Sequence, residues 1–121
     1  MAGALSPRRG RLSRSADFDR VMRSGRSHAG RELVVYVFPR GGDDPPRLGL
    51  SVSRRVGGAV VRNRVKRLLR EAFAAERERI PVGADIVVIA RSGAADLAER
   101  AGLHGIQAAL RELIDRIPVG T

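Results

Sequence analysis

Seven positively charged side chains, and no acidic one, lie between Arg54 and Arg70. Arginine guanidinium groups bind phosphate through paired hydrogen bonds and stack on nucleobases, which an ammonium group does not do. Like charges crowded on a helix cost roughly a few tenths of a kcal/mol per pair, and an anionic partner offsets that cost. The segment therefore predicts a polyanion-binding surface. Its candidate residues are Arg54, Arg55, Arg62, Asn63, Arg64, Lys66, Arg67 and Arg70.

Histidines and carboxylates, which a hydrolytic site would need, are not grouped along the chain. His28 and His104 are far apart, and Asp43-Asp44 lies between glycines and prolines typical of a turn. A two-metal nuclease needs several such ligands around ions about 4 Å apart, and acid–base catalysis needs comparable clustering. We therefore expect no catalytic residue and no metal site in the chain.

The composition favours a single folded domain with a nucleic-acid partner. The chain has 121 residues, 43% of them hydrophobic, a formal charge of +10 and no cysteine. Residues 1–79 hold 18 arginines and one lysine against eight acids, whereas residues 80–121 hold four arginines against five acids. No apolar run approaches the length of a membrane span or a signal peptide, so we expect a cytoplasmic protein. Membrane-surface binding is less favoured, because the apolar face of the basic segment is needed for the core.

Hydrophobic periodicity predicts alternating helices and strands around this segment. Ser15 is a plausible N-cap for a helix over 16–24 that ends at Gly25. Strands are expected over 33–38, 48–53 and 85–91, with a glycine- and proline-rich turn over 40–47. A last helix reaches residue 117, with its start left uncertain by Gly102 and Gly105. Residues 1–13 lack periodicity and are predicted to be a flexible basic arm, and 14–121 a single domain.

The basic segment itself has helical periodicity from about residue 59 to residue 79. Its apolar residues return at intervals that place them on one face, while the arginines cover the other sides. We therefore expect an amphipathic helix that packs on a sheet and presents cations to solvent. The apolar face comprises Val61, Val65, Leu68, Leu69, Ala72 and Phe73.

Residues 48–57 and 59–73 closely resemble the signature of the bacterial ribonuclease P protein subunit. The resemblance centres on Arg62-Asn63-Arg64 with its basic continuation, and it extends to 11–12, 17–18, 33–36 and 85–91. It implies an α/β (α+β) two-layer sandwich, in which a four-stranded, mostly antiparallel sheet packs with three helices. It also implies a left-handed βαβ crossover, as in a domain of a ribosomal protein, although about 98% of such crossovers are right-handed.

The resemblance also implies a function. Members of the family join a catalytic RNA that uses Mg²⁺ to remove the 5′ leader of precursor tRNA by endonucleolytic hydrolysis. The protein, one monomer per catalytic RNA, binds the leader and that RNA and broadens substrate use. Carried over to matching positions, the leader cleft uses Phe18, Tyr36 and Ser51, and the basic helix faces RNA. Met22 stands where many relatives have a second cleft aromatic.

Other interpretations remain open on the residues alone. Tyr36 and Phe18 are also compatible with a place in the core, and Asn63 with an ordinary polar surface. A ribosomal or general RNA-binding protein is the alternative to a tRNA-processing subunit, and a stand-alone nuclease is a third, weaker possibility.

Overall fold

The computed structural model describes residues 11–12 and 15–117, which form three α-helices and four strands. In chain order these are α1 Ser15–Ser24, β1 Arg26–Ala29, β2 Leu33–Pro39, β3 Arg47–Val52, α2 Ala59–Ala75, β4 Ala84–Ala90 and α3 Gly93–Ile114. A short 3₁₀ turn, Arg77–Arg79, follows α2. The helices and strands expected from periodicity are therefore present.

The four strands form one mixed sheet in the order β1-β2-β4-β3. The pairs β1–β2 and β2–β4 are antiparallel, and β3–β4 is parallel. One cross-sheet row runs through Tyr36, Val87 and Gly49, and the next through Val34, Ile89 and Ser51. These rows lie on the same side of the sheet because side chains alternate along each strand.

The parallel strands β3 and β4 are joined through α2, and the direction of one carbonyl gives the hand of this crossover. Leu48 faces the same side of the sheet as α2, and its carbonyl accepts a hydrogen bond from the Leu12 N–H, away from β4. In a strand of L-residues running upward with this side chain toward the viewer, the carbonyl points right. Strand β4 is therefore on the left, and a crossover in front of the sheet is left-handed.

The sheet has a different covering on each face. On one face, α2 and α3 pack on each other and on the strands, and they bury the main core around Leu33, Leu69, Ile86 and Leu110. On the other face, the shorter α1 packs on β2 and β4 over a small cluster of Leu12, Val21 and Val87. Because α1 has only 10 residues, much of this second face is only half-buried.

Helices α2 and α3 end earlier than the sequence predicted. Helix α2 ends at Ala75 rather than near Arg79, because the Glu76 N–H bonds to both Ala72 and Phe73 carbonyls and the chain tightens into a 3₁₀ turn. Helix α3, whose start the sequence left uncertain, begins at Gly93 and ends at Ile114 rather than at residue 117. It is interrupted at Gly102, whose φ of 56° lies in the left-handed region that glycine tolerates.

Two short segments, β1 and residues 11–12, join the sheet although the sequence did not predict strand pairing there. Strand β1 has four residues and mostly exposed side chains, so it lacks the apolar alternation that identifies a strand. Arg11 forms a parallel bridge with Leu48, and Leu12 is buried, so neither belongs to a flexible arm. The rest of the predicted arm, 1–10 and 13, lies outside the described residues, as do 14 and 118–121.

Candidate nucleic-acid interface

Helix α2 stands on the sheet with one face buried and the other charged. Val65, Leu68, Leu69, Ala72 and Phe73 are buried, as the periodicity predicted. Val61 is the exception in the predicted apolar face, because 39% of it is exposed. The predicted binding residues on the helix are all at least partly accessible: Asn63, Arg64, Arg67 and Arg70 are exposed, and Arg62 and Lys66 are half-buried.

Most cations of this surface lack acidic partners in the part of the chain that the structure describes, in contrast to those of α3. Within the described residues, Arg67 is the one α2 cation in an ion pair, at 3.7 Å from Glu71. Both arginines of α3 are paired: Arg100 with Asp96 at 2.9 Å and Arg111 with Glu76 at 2.8 Å. The positive charge of α2 is therefore directed to solvent rather than compensated within the fold.

The cationic surface extends beyond both ends of the unpaired α2 cluster. Arg54 and Arg55 are exposed in the turn before the helix, whose N-cap Gly58 provides no side-chain hydrogen bond and whose first turn has no acid. Near the C-terminal end of the cluster, the pKa of Arg70 is lowered, mainly by burial and to a smaller extent by the nearby positive charge of Arg11. Arg11 had been assigned to the arm, and its place beside Arg70 depends on its bridge to β3.

The predicted cleft residues lie together on the sheet face that α1 partly covers. Phe18 and Tyr36 are half-buried and pack against the cluster of Leu12, Val21 and Val87. Ser51 is half-buried on β3, two residues beyond Gly49. Met22 is four residues after Phe18 on α1, which places the two on one side of the helix, and it is 41% exposed. The aromatic rings are therefore neither fully buried nor free of the core.

Gly49 allows α1 to approach the sheet closely. A Cβ atom at this position would lie 2.7 Å from Phe18 Cζ and 3.1 Å from Leu12 Cβ. Any larger residue would therefore push the Phe18 ring out of its place beside the sheet. The cleft and the cationic surface are on opposite faces of the sheet and approach each other at the edge strand β3.

Two buried carboxylates hold the framework of these surfaces, and the sequence pattern did not identify either. Asp85 is fully buried and accepts hydrogen bonds from Arg40 Nη1 at 2.9 Å and from Arg47 Nε and Nη2 at 2.8 Å. Glu76, 2% exposed, accepts from both Arg111 and Gln107. The Arg111 hydrogen bonds lower the pKa of Glu76 despite its burial. Long-range pairings of this kind leave no periodic signal.

The remaining residues considered from the sequence form no site. His28 is half-buried on β1 and His104 is exposed on α3, and Asp43-Asp44 lies in the exposed turn between β2 and β3. Across the part of the chain that the structure describes, no three His, Cys, Asp or Glu side chains are grouped so that they could hold a metal ion. No described helix is both long and apolar enough to cross a membrane.

Comparison with known proteins identifies the family. The family model described as ribonuclease P matches residues 6–117, nearly the whole chain. The chain belongs to the ribonuclease P protein family. Two curated relatives, each named "Ribonuclease P protein component", come from Halalkalibacterium halodurans and Brevibacillus brevis. The first is 49% identical over 87 residues, or 72% of this chain and 73% of its own length. The second is 42% identical over 109 residues, or 90% and 83%.

Solved structures of the ribonuclease P protein family have the same fold. The RNase P protein of Thermotoga maritima matches with a TM-score of 0.80 and 36% identity, covering 89% of this chain and 97% of that one. That of Staphylococcus aureus matches with a TM-score of 0.77 and 39% identity, covering 88% and 93%. Three expectations from the sequence are thereby confirmed: the family, the α/β fold with its four-stranded sheet and three helices, and the enzyme, ribonuclease P, to which such subunits belong.

Proposed function

We propose that the chain is the protein subunit of a ribonuclease P ribonucleoprotein and assists a catalytic RNA in removing the 5′ leader of precursor tRNA. One observation carries this proposal: the α2 cations are concentrated on one surface and, Arg67 excepted, have no acidic partner among the described residues. A phosphate backbone supplies the missing counter-charge, and guanidinium groups match phosphate geometry. Membership of the ribonuclease P protein family indicates that the RNA bound is the catalytic RNA of ribonuclease P.

The cationic surface binds the catalytic RNA and the substrate near the cleavage site. Its residues are those predicted from the sequence: Arg54, Arg55, Arg62, Asn63, Arg64, Lys66, Arg67 and Arg70. Arg11 adds a further positive charge beside Arg70. In A-form RNA the side chains meet phosphates and ribose rather than base edges in the deep major groove. This surface therefore supplies affinity more than sequence preference.

The half-covered sheet face holds the single-stranded leader. Phe18 and Tyr36 offer rings on which unstacked bases can lie, each such contact contributing roughly 1–3 kcal/mol. The small side chain of Ser51 leaves room for the backbone of the RNA leader to approach the sheet. Met22 packs on a base less well than an aromatic ring would. Binding the leader here, on the opposite sheet face from α2, allows one small protein to hold RNA on two sides.

The chemistry belongs to the RNA and its Mg²⁺ ions. The described side chains provide no group of three or more metal ligands, and we therefore assign the ions that hydrolysis requires to the RNA. Neutralising phosphate charge with arginine lets the RNA fold and hold substrate with less Mg²⁺. From the family membership we also propose that the protein is a cytoplasmic monomer, one per catalytic RNA.

Reconstitution tests the proposal directly. The purified chain is mixed with bacterial ribonuclease P RNA and a precursor tRNA at low Mg²⁺, and cleavage of the leader is followed. We expect faster cleavage than with RNA alone, and little gain from a variant with Arg62, Arg64 and Arg70 changed to Gln. No gain from the wild-type chain would refute the proposal. Equal binding to unrelated RNA without stimulation would indicate a general RNA-binding protein, and cleavage by protein alone a nuclease.

A further inference from the structure

A groove with an apolar floor opens between the first turns of α2 and the first half of α3. Its volume is about 340 Å³, and Val60, Val61, Val65 and Ala98 contribute to its lining. Val60 is 83% exposed and Val61 is 39% exposed, so the groove walls are unburied valines on an otherwise charged surface. Pockets of this size are at the small end of those that bind ligands, and exposed apolar patches mark contact sites.

Three charged residues also line the groove: Arg64, Asp96 and Glu99. Arg64 Nη2 donates to the Ala98 carbonyl at 3.3 Å, which leaves its other guanidinium donors available. Asp96 Oδ2 accepts from Arg100 Nε at 2.9 Å, which compensates its charge. Glu99 has no hydrogen-bond or ion-pair partner within residues 11–12 and 15–117, so both of its oxygens remain open to a ligand.

A carboxylate beside an RNA-binding helix repels phosphate, and a hydrogen bond that the RNA donates to the carboxylate offsets this repulsion. We propose that this groove binds one unpaired guanine base of the RNA that α2 contacts. Glu99 accepts the hydrogen bonds of the base edge, the valines contact the ring face, and Arg64 binds a neighbouring phosphate. This inference rests on the proposed function, and it adds a base-reading site to a surface that otherwise reads only phosphates.

Guanine is the base whose edge fits Glu99. An ionised carboxylate offers two acceptors and no donor. Guanine presents two adjacent donors, N1–H and the N2 amino group, and so pairs with both oxygens. Adenine, cytosine and uracil each present a single donor group on this edge, next to an acceptor, which leaves one carboxylate oxygen facing an acceptor. Single-stranded loops and bulges of RNA supply such splayed bases, and proteins recognise them by these edges.

The substitution Glu99→Gln distinguishes base recognition from simple electrostatics, because the two predict opposite changes in RNA affinity. Removing a negative charge near RNA should tighten binding if only electrostatics matters. Loss of the paired acceptors should instead weaken binding to the catalytic RNA by about ten-fold, the usual scale for one two-pronged base contact. Glu112→Gln is the control, since Glu112 is an exposed acid elsewhere on α3 whose one ion-pair contact among the described residues is a long one, 3.9 Å to Arg116. This variant should bind as the wild type or more tightly. Equal or tighter binding by Glu99→Gln would overturn the proposal.

Inosine interference identifies the base. Catalytic RNA carrying sparse inosine in place of guanosine lacks N2 amino groups at random positions, and the molecules that the full-length protein binds are recovered. We expect interference at a guanosine that disappears when Glu99→Gln is used. An identical interference pattern for both proteins would contradict the assignment.

Guanosine monophosphate alone tests the groove independently of the holoenzyme. At millimolar concentration it should shift the NMR methyl signals of Val60, Val61 and Ala95, which also lines the groove, whereas adenosine monophosphate should shift them much less. The Glu99→Gln variant should lose this difference. Equal shifts with both nucleotides, or none, would refute the guanine site even if the protein stimulates cleavage. A selective shift in a protein that fails to stimulate cleavage would instead refute the proposed function.

Discussion

Substitution of Arg70 tests most directly whether the cations of α2 bind RNA phosphates. Arg70 is exposed, it has no ion pair among the described residues, and the like charge of Arg11 is close enough to contribute to the lowering of its pKa. Each phosphate contact releases counterions and contributes about −0.7 to −0.9 to the slope of log affinity on log salt. If about five cations of this surface contact phosphates, the slope for the wild type is about −3.5 to −4.5.

Changing Arg70→Gln should therefore make this slope shallower by about 0.7 to 0.9, which corresponds to a loss of roughly four- to six-fold in affinity at 0.15 M salt. The assay is equilibrium binding of labelled catalytic RNA at five salt concentrations. The melting temperature should not fall, because the substitution removes a repulsion with Arg11 and no ion pair.

Arg116→Gln is the control for this measurement. Arg116 is also an exposed arginine, but it lies just after α3 and pairs with Glu112 at 3.9 Å, so we expect the wild-type slope. An unchanged slope for Arg70→Gln would show that Arg70 contacts no phosphate, and an equal change for Arg116→Gln would show that net charge, and not its placement on α2, governs RNA binding.

Three further predictions concern the cleft and the framework. Tyr36→Ala should weaken binding of precursor tRNA with a long leader about five- to 150-fold, from a lost stacking contact of roughly 1–3 kcal/mol, and weaken mature tRNA little; equal losses would return Tyr36 to the core. Gly49→Ala should lower the free energy of unfolding by about 1–3 kcal/mol in urea titrations, because its Cβ meets the Phe18 ring, and leader affinity should fall with it. Glu76 has a lowered pKa in the folded state, so its stabilisation is present above its ordinary pKa of 4.5 and is lost as the pH falls through the lower folded value. Urea titrations between pH 3 and 6 should show this loss, and Glu76→Gln, less stable at neutral pH, should show less of it.

Much of the fold was predictable because its signals are local. The sequence periodicity of α1, β2, β3, β4 and α2 assigns their apolar residues to one face or to both faces of each element. The residues that are buried in the structure lie on those same faces. Turn residues and caps marked where these elements end, to within a few residues. The basic cluster was equally visible, because it depends on the order of residue types along one helix.

The hand of the crossover and the identity of the cleft came from the resemblance rather than from periodicity. A βαβ unit with this spacing would be expected to cross right-handedly, and no local pattern contradicts that expectation. In the same way, the apolar neighbours of Tyr36 on its strand indicate a core residue. In the structure its ring is only half-buried, because the short helix α1 covers this sheet face incompletely.

What the sequence by itself determined is therefore the set of elements, the amphipathic face of α2 and the surplus of positive charge on it. Tertiary structure decided which charges remain unpaired, because distant carboxylates compensate Arg47 and Arg111 but none in the described chain compensates Arg62, Arg64 or Arg70. It also joined Arg11 to the cationic surface through a bridge to β3, and left Val60 and Val61 at an open groove beside Glu99. These outcomes depend on contacts between residues far apart in the chain, whose geometry is set only when the sheet and its two layers assemble.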